Sequence, residues 1–207
     1  PPAPSACVSE RVVEDFSVPA FKDPRPFEVT WRGGAEMRDG VLRFADSLLY
    51  DSSALVYAPR CGLDALPFFR IRFHFVAARH CRGFSVSVGA LPPISIDEHG
   101  AGAGLVIRFL TKDGAAQVLH DGSLLWSTQN LYTACRLGTV LVEYDTRGLS
   151  VECGAVQLVD GLALFGWSPE PHWEIGVGVG ADAADDSRLD DFVVDLGASW
   201  STGIAAV

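Results

Sequence analysis

The chain lacks the sequence signals of several common functional classes. Its single asparagine, Asn130, lies in Asn130-Leu-Tyr, so the chain has no N-glycosylation sequon. None of its five cysteines forms a C-x-x-C pair, which argues against zinc-ribbon and thioredoxin-type sites. No apolar run approaches the roughly 20 residues of a membrane-spanning helix. The longest candidate, 155–167, is interrupted by Asp160 and Gly161.

The chain also lacks the positive charge that nucleic-acid binding requires. Its 16 Lys and Arg residues stand against 26 Asp and Glu residues, which gives a net charge of −10. Binding to nucleic acid depends on clustered Lys and Arg that displace counterions, so we expect no nucleic-acid partner. An acidic surface is typical of a soluble protein or of one that binds Ca²⁺.

The five cysteines allow two disulfides and one leftover thiol, or a bridge to a neighbouring chain. Alternatively, several of them are buried free thiols, because free cysteine packs as a small hydrophobic residue. Spacing does not fix the pairing. If Asp145 and Gly148 bracket a two-residue hairpin turn, Cys153 faces Val140, so we expect Cys135 and Cys153 to be poor cross-strand partners. The cysteines are Cys7, Cys61, Cys81, Cys135 and Cys153.

What the sequence does contain is alternation of apolar and polar residues with a period of two. Such alternation gives a strand one buried face and one exposed face. Between residues 68 and 110 it predicts three strands, in which Ser85 and Ser87 point away from the core. In the first strand the predicted core residues are Phe69, Ile71, Phe73 and Phe75, and the outward ones are Arg70, Arg72 and His74.

Turn signals separate further short strands along the rest of the chain. Asp121-Gly122 predicts a two-residue hairpin turn and Thr146-Arg147 a second one, and residues 155–158 and 162–165 are predicted to form a further pair of strands. A first strand near residues 12–16 is expected to pair with the last one. We find no amphipathic helix, repeat or linker. The sequence therefore predicts one all-β domain over residues 1–207, an antiparallel β-sandwich of about a dozen strands.

Several segments together resemble a known superfamily. They are the trio of strands with its Gly-rich approach to Leu105, the hairpin of 140–145 and 149–151, and the closing pair of 173–180 and 189–193. Their order is similar to that of the concanavalin A-like sandwich, also called the jelly roll, of L-type lectins and laminin G-like domains. The resemblance covers most of 68–196 and implies a fold, but no particular ligand.

The resemblance also implies where a legume-type sugar and metal site would lie. The family binds sugar through a loop aspartate before a Gly-aromatic strand, and here that place is taken by Arg82 in Cys81-Arg-Gly-Phe84. The family's metal ions are held by acidic residues on a later strand. The matching strand here, 106–111, contains no carboxylate. We therefore expect the legume-type site to be absent.

Enzymes with this fold carry paired carboxylates on one strand in a pattern such as E-x-D-x-x-E. One carboxyl group acts as the acid and another as the nucleophile, about 5–5.5 Å apart. Glu143 and Asp145 supply the first two positions, but the third falls on Gly148. We therefore expect no enzymatic activity.

One acidic segment remains as a candidate metal site. Residues 182–191 contain five carboxylates, and Ca²⁺ is bound by six to eight oxygen ligands. Asp182, Asp185 and Asp186 are the predicted ligands of Ca²⁺, with Asp97-Glu98-His99 as a weaker partner segment. The alternative is a solvated loop in which Arg188 offsets part of the charge.

Two functions remain, and both are expectations from the resemblance. The first is a lectin-like recognition module that binds a glycan or an extracellular protein. The second is a structural or assembly domain of a large surface or matrix protein, in contact with neighbouring domains. Because the chain begins with Pro1-Pro2, we interpret it as part of a longer extracellular or cell-surface polypeptide. The predicted ligand-binding residues are Arg70, Arg72, His74, Arg82 and Arg108.

Overall fold

The structure is a computed structural model that describes residues 7–16, 29–45, 52–77, 81–93, 96–100, 103–129, 135, 137–181 and 186–198. These residues form fifteen β-strands, compared with the dozen or so expected. They contain no helix with the length and apolarity that a membrane span requires. The strands are β1 (Ser9–Glu14), β2 (Val29–Gly33), β3 (Ala35–Arg38), β4 (Val41–Ala45), β5 (Ser52–Tyr57), β6 (Phe68–Val76), β7 (Cys81–Ala90), β8 (Ala103–Leu110), β9 (Ala115–His120), β10 (Ser123–Thr128), β11 (Leu137–Asp145), β12 (Gly148–Cys153), β13 (Val156–Leu162), β14 (Glu174–Ala181) and β15 (Asp186–Gly197).

Two antiparallel sheets pack face to face, which confirms the predicted β-sandwich. The eight-stranded sheet has the order β13-β12-β11-β6-β15-β4-β3, and β1 pairs with β15 as the sequence predicted. The seven-stranded sheet has the order β10-β9-β8-β7-β14-β5-β2. The long strand β15 pairs with β4 through its first residues and with β1 through its last ones.

The core lies between the two sheets and is rich in phenylalanine. The ring of Phe84 on β7 lies 4.4 Å, centroid to centroid, from those of Phe75 and Phe109. Because a buried aromatic side chain removes a large apolar area from water, such clusters supply much of the stability of a sandwich. The predicted core side chains of β6 are all fully buried, namely Phe69, Ile71, Phe73 and Phe75.

The three predicted strands between residues 68 and 110 are present, and they belong to two different sheets. Strand β6 pairs with β11 and β15 in the eight-stranded sheet, whereas β7 pairs with β8 and β14 in the other sheet. Side chains that point away from the core on β6 therefore lie on the opposite side of the molecule from those on β7 and β8. Alternation alone fixes which face is buried but not which sheet a strand joins.

Both predicted two-residue hairpin turns are confirmed. Asp121 and Gly122 have φ values of 47° and 75° and join β9 to β10, while β11 and β12 pair with Asp145 opposite Gly148. The predicted pair of strands around Asp160-Gly161 is wrong, because 156–162 form one strand. Gly161, with a φ of 67°, lies at a break in the register between β12 and β13, which absorbs the extra residue as a bulge.

Two disulfides are present, and Cys81 is a buried free thiol. One bridge joins Cys7 to Cys61, with 6.0 Å between the Cα atoms. The other joins Cys135 to Cys153, with 5.1 Å between them. The expectation that Cys135 and Cys153 are not direct cross-strand partners is confirmed, although a disulfide joins them. Cys153 does face Val140, but Cys135 precedes β11 and lies outside the ladder, so the register did not restrict it.

Candidate functional site

The outer face of the seven-stranded sheet is covered by the segment that follows β7. We call the described residues of this segment, 91–93 and 96–100, the strap. Ile96 is 1% exposed and packs against Ala54 and Val56 on β5, with Leu91 beside them. The strap therefore buries a small second apolar cluster on the side of the sheet that faces away from the main core.

Glycines on β14 allow the strap to lie directly on the sheet. Valines and an isoleucine of this strand point into the core, and Gly176, Gly178 and Gly180 point toward the strap. A Cβ atom on Gly178 would lie 2.6 Å from the carbonyl oxygen and from Cγ2 of Ile96. The three glycines thus form a shallow groove that is filled by the strap.

The two serines of β7 lie beneath the strap and are not exposed. Both Ser85 and Ser87 are fully buried, so the prediction that they face solvent is wrong. The hydroxyl of Ser85 donates a hydrogen bond of 2.6 Å to the carbonyl oxygen of Asp97. The prediction that both serines point away from the main core was correct, but the alternation gave no sign of a segment that covers them.

Arg82 lies where β7 is irregular. Gly180 pairs with Gly83 and Ala181 pairs with Cys81, so Arg82 is the extra residue of a bulge. Its Nε lies 3.2 Å from a carboxylate oxygen of Glu98 on the strap. Bulges redirect side chains, and this one brings Arg82 to the edge of the strap.

Glu98 is a buried carboxylate at the centre of the site. The residue is 4% exposed, and its Oε1 also lies 3.6 Å from Nε2 of His99. Its Oε2 packs against Gly180 and has no hydrogen-bond partner. Burial of a charge requires a partner, and Arg82 supplies it.

Arg108 fastens the strap from the neighbouring strand. Its Nε donates a hydrogen bond of 2.6 Å to the carbonyl oxygen of His99. Within the part of the chain that the structure describes, the terminal nitrogens of Arg108 make no hydrogen bond. Arg82, Glu98, His99 and Arg108 therefore form a continuous polar cluster.

The other predicted ligand-binding residues lie on the opposite side of the molecule. Arg70, Arg72 and His74 are on the outer face of the eight-stranded sheet, so the structure does not bring them to Arg82 and Arg108. The Nε of Arg70 lies 2.9 Å from Glu143. Asp195, in register with Arg70 on β15, pairs with Arg11 at 3.4 Å. This row of alternating charges stabilises the cross-strand pairing.

The predicted Ca²⁺ ligands cannot be placed. Asp182 and Asp185 lie outside the described residues, and so does the side chain of Asp186 at the start of β15. Among the described residues, the group of potential metal ligands that lies close together is Cys7, Glu10 and Cys61, in which the two cysteines form a disulfide. Strand β8, which the resemblance matches to the family's metal-binding strand, has no carboxylate between residues 106 and 110.

Glu143 and Asp145 on β11 are both paired with arginines. The carboxylate of Asp145 accepts hydrogen bonds from the backbone nitrogen of Arg147 at 2.7 Å and from its Nε at 2.9 Å. Burial alone would raise the pKa of Asp145, but these hydrogen bonds and the charges of Arg147 and Arg70 outweigh it and lower the pKa. A general acid needs a raised pKa, so this pair does not suit acid catalysis.

The sequence pointed to Arg82 and Arg108 but not to the role of Glu98 and His99. Both had been considered as a metal-binding segment. The signal for a covered face was the glycine at three of the four outward positions of β14, since repeated glycine in a strand marks a close approach by another segment. The partner segment itself has no comparable signal.

Comparison with known proteins identifies the fold. No family model and no curated protein matches the chain. Arcelin-5, a lectin-like defence protein from Phaseolus vulgaris, superposes with a TM-score of 0.65 and 8% identity, over 92% of this chain and 99% of that one. The metal-free carbohydrate recognition domain of Emp46p superposes with a TM-score of 0.64 and 14% identity, over 90% of this chain and 94% of that one. The Ca²⁺-bound lumenal domain of VIP36 superposes with a TM-score of 0.62 and 13% identity, over 95% of this chain and 96% of that one. The chain therefore has the concanavalin A-like fold of L-type and legume-type lectins.

Proposed function

We propose that the domain is a non-catalytic recognition module that binds glycans at the strap. The proposal includes a place in the secretory pathway, in an extracellular or cell-surface protein, which the two disulfides support. The similar structures include carbohydrate-binding domains, and this supports glycan over an extracellular protein as the ligand.

The observation that carries this proposal is the fixed polar cluster beside the strap. Arg108 is held by its Nε, and within the described residues its terminal nitrogens make no hydrogen bond, while the side chain of His99 is 59% exposed. Sugar recognition depends on a few donors and acceptors that are already in position, because ordering them on binding would reduce the affinity. The cluster supplies such groups without a metal ion.

The pairing of Glu143 and Asp145 supports a non-catalytic role. Glycoside hydrolysis requires one carboxyl group that is protonated near neutral pH and a second that is free to react. Here both carboxylates are engaged by arginines, and the pKa of Asp145 is lowered.

Substitution of Arg108 tests the binding site. Once a glycan array has identified a ligand, Arg108→Ala should weaken its binding at least tenfold, because the variant loses both the terminal donors and the anchor of the strap. Arg38→Ala removes the same charge from an exposed position on β3 and should bind normally. Isothermal titration measures the two dissociation constants.

Chelation separates this site from one of the legume type. Binding should be unchanged in EDTA, because Arg82 stands in the place of the family's loop aspartate and residues 106–111 contain no carboxylate. EDTA-sensitive binding of a simple monosaccharide would contradict the proposal. A blank glycan array together with self-association would favour the alternative, a structural or assembly domain that contacts its neighbours in the parent protein.

We further propose that the acidic segment 182–191 binds Ca²⁺, which the Ca²⁺-bound form of VIP36 makes plausible for this fold. A metal ion that binds only the native state raises the melting temperature by mass action. Millimolar Ca²⁺ should therefore raise it, and Asp185→Ala with Asp186→Ala should remove the increase. Asp64→Ala, at an exposed position, is the control. Identical melting curves with and without Ca²⁺ would exclude the site.

A further inference from the structure

A polar cavity lies on the eight-stranded sheet, on the opposite side of the molecule from the strap. It has a volume of about 110 Å³ and opens on the outer face of the eight-stranded sheet, across β11, β12 and β13. Ser150 lies on the central strand of the three. The lining consists of Leu141, Glu143, Arg147, Ser150, Glu152, Gln157 and Asp160.

One wall of this cavity is held rigidly by ion pairs. Asp145 accepts hydrogen bonds from the backbone and side chain of Arg147, and the Nη2 of Arg147 also lies 3.7 Å from Glu143. Glu143 is 8% exposed and is held from the other side by Arg70. Groups that are already fixed lose little entropy when a ligand arrives.

The remaining lining groups are free to make hydrogen bonds. Among the described residues, Glu152 and Asp160 make no hydrogen bond and no ion pair. Ser150 accepts a bond from the backbone of Gly161, which leaves its hydroxyl hydrogen as a donor. Gln157 uses its amide nitrogen on carbonyls of β12 and β13, so its amide oxygen remains an acceptor.

The charges and distances disfavour an anion and a metal ion. Three carboxylates and one guanidinium line the cavity, which disfavours an anion. Nor do the three carboxylates suit one metal ion. Among the described residues, only Cys7, Glu10 and Cys61 bring three potential ligand atoms within 4.8 Å of one another. The cavity offers several hydrogen-bond acceptors, two donors in Arg147 and Ser150, and the apolar side chain of Leu141.

We propose that this cavity binds one neutral sugar unit, as a second saccharide site independent of the strap. Its carboxylates accept hydrogen bonds from sugar hydroxyls, Arg147 and Ser150 donate to them, and Leu141 contacts the apolar edge of the ring. Because the two sites lie on opposite sheets, one domain contacts two branches or two glycans at once. Such bivalency raises the overall affinity without any new contact.

Backbone amide shifts measured by NMR during titration with monosaccharides test this site. The probes are the methyl glycosides of glucose, galactose and mannose. At least one should shift the amides of Ser150, Glu152 and Gly161 with saturation at millimolar concentration, as expected for a ligand of about a dozen non-hydrogen atoms. Glu152→Ala with Asp160→Ala removes both carboxylate acceptors and should abolish these shifts while the melting temperature stays near that of the wild type.

Two controls separate this site from the strap. Glu36→Ala, on β3 at the opposite edge of the same sheet, should leave the shifts unchanged. Arg108→Ala should weaken only binding at the strap. The proposal is overturned if no glycoside moves these amides, or if the double variant retains the shifts. It is equally overturned if N-acetylarginine amide gives saturating shifts and no glycoside does, since the cavity would then bind a basic side chain.

Discussion

Removal of the Cys7–Cys61 disulfide should lower the free energy of unfolding by about 4 kcal/mol, and removal of Cys135–Cys153 by about 3 kcal/mol. The difference follows from the sequence separations of 54 and 18 residues, because the longer loop has more chain entropy to regain when the bridge is lost. The first bridge also ties the segment before β1 to the loop after β5. Its loss should therefore loosen the pairing of β1 with β15.

Urea denaturation of two double variants measures these costs. The variants are Cys7→Ala with Cys61→Ala, and Cys135→Ala with Cys153→Ala. Cys81→Ala, which removes a buried thiol but no bridge, should cost about 1 kcal/mol or less. The oxidised protein should be lighter than the reduced one by four hydrogens, two for each bridge. Five reactive thiols in the unfolded, unreduced protein would contradict both the bridges and the proposed secretory location.

Local features of the fold could be predicted because they depend on neighbouring residues. The alternation in β6 identified Phe69, Ile71, Phe73 and Phe75 as core residues, and all four are fully buried. The Asp121-Gly122 turn was recognised because its positive φ angles favour these residue types. The register of β11 with β12 followed from the length of their turn, which placed Cys153 opposite Val140.

Features that depend on long-range pairing could not be predicted. Nothing in β6 or β7 indicates that they join different sheets, so the sequence could not show that Arg70 and Arg108 lie on opposite sides of the molecule. Likewise, Asp160-Gly161 has the composition of a turn but forms a bulge, because β13 continues along β12. The alternation in the sequence shows which side chains of a strand point into the core. Long-range pairing decides which sheet the strand joins.

The candidate site combines both kinds of feature. Arg82 could be identified from its place before the Gly-aromatic strand, but its ion pair with Glu98 spans 16 positions and crosses from β7 to the strap. Ser85 and Ser87 were predicted correctly to point outward. Their burial follows from the strap, whose position depends on the glycines of a strand about 80 residues later. The contacts of the site therefore form only when the strap packs on the assembled sheet.

Those glycines lead to the prediction with the largest expected effect on binding. In Gly178→Ala the new Cβ would lie 2.6 Å from the carbonyl oxygen of Ile96 and 2.7 Å from its carbonyl carbon. Backbone atoms cannot rotate away as a side-chain end can, so the strap must move as a unit. The displacement should separate Glu98 from Arg82 and the carbonyl of His99 from Arg108. We expect glycan binding at the strap to be lost.

Gly176→Ala is the matched control, because it adds the same methyl group to the same face two residues earlier. There the Cβ would meet the ends of two flexible side chains, Cδ1 of Ile96 at 2.6 Å and Cδ1 of Leu91 at 2.8 Å. These atoms can move by rotation about a side-chain bond at a small cost. Gly176→Ala should therefore retain most of its binding, while Gly178→Ala loses it and unfolds about 1–3 kcal/mol more easily. Equal affinities of the two variants, measured by titration with the same glycan, would show that recognition does not depend on the position of the strap.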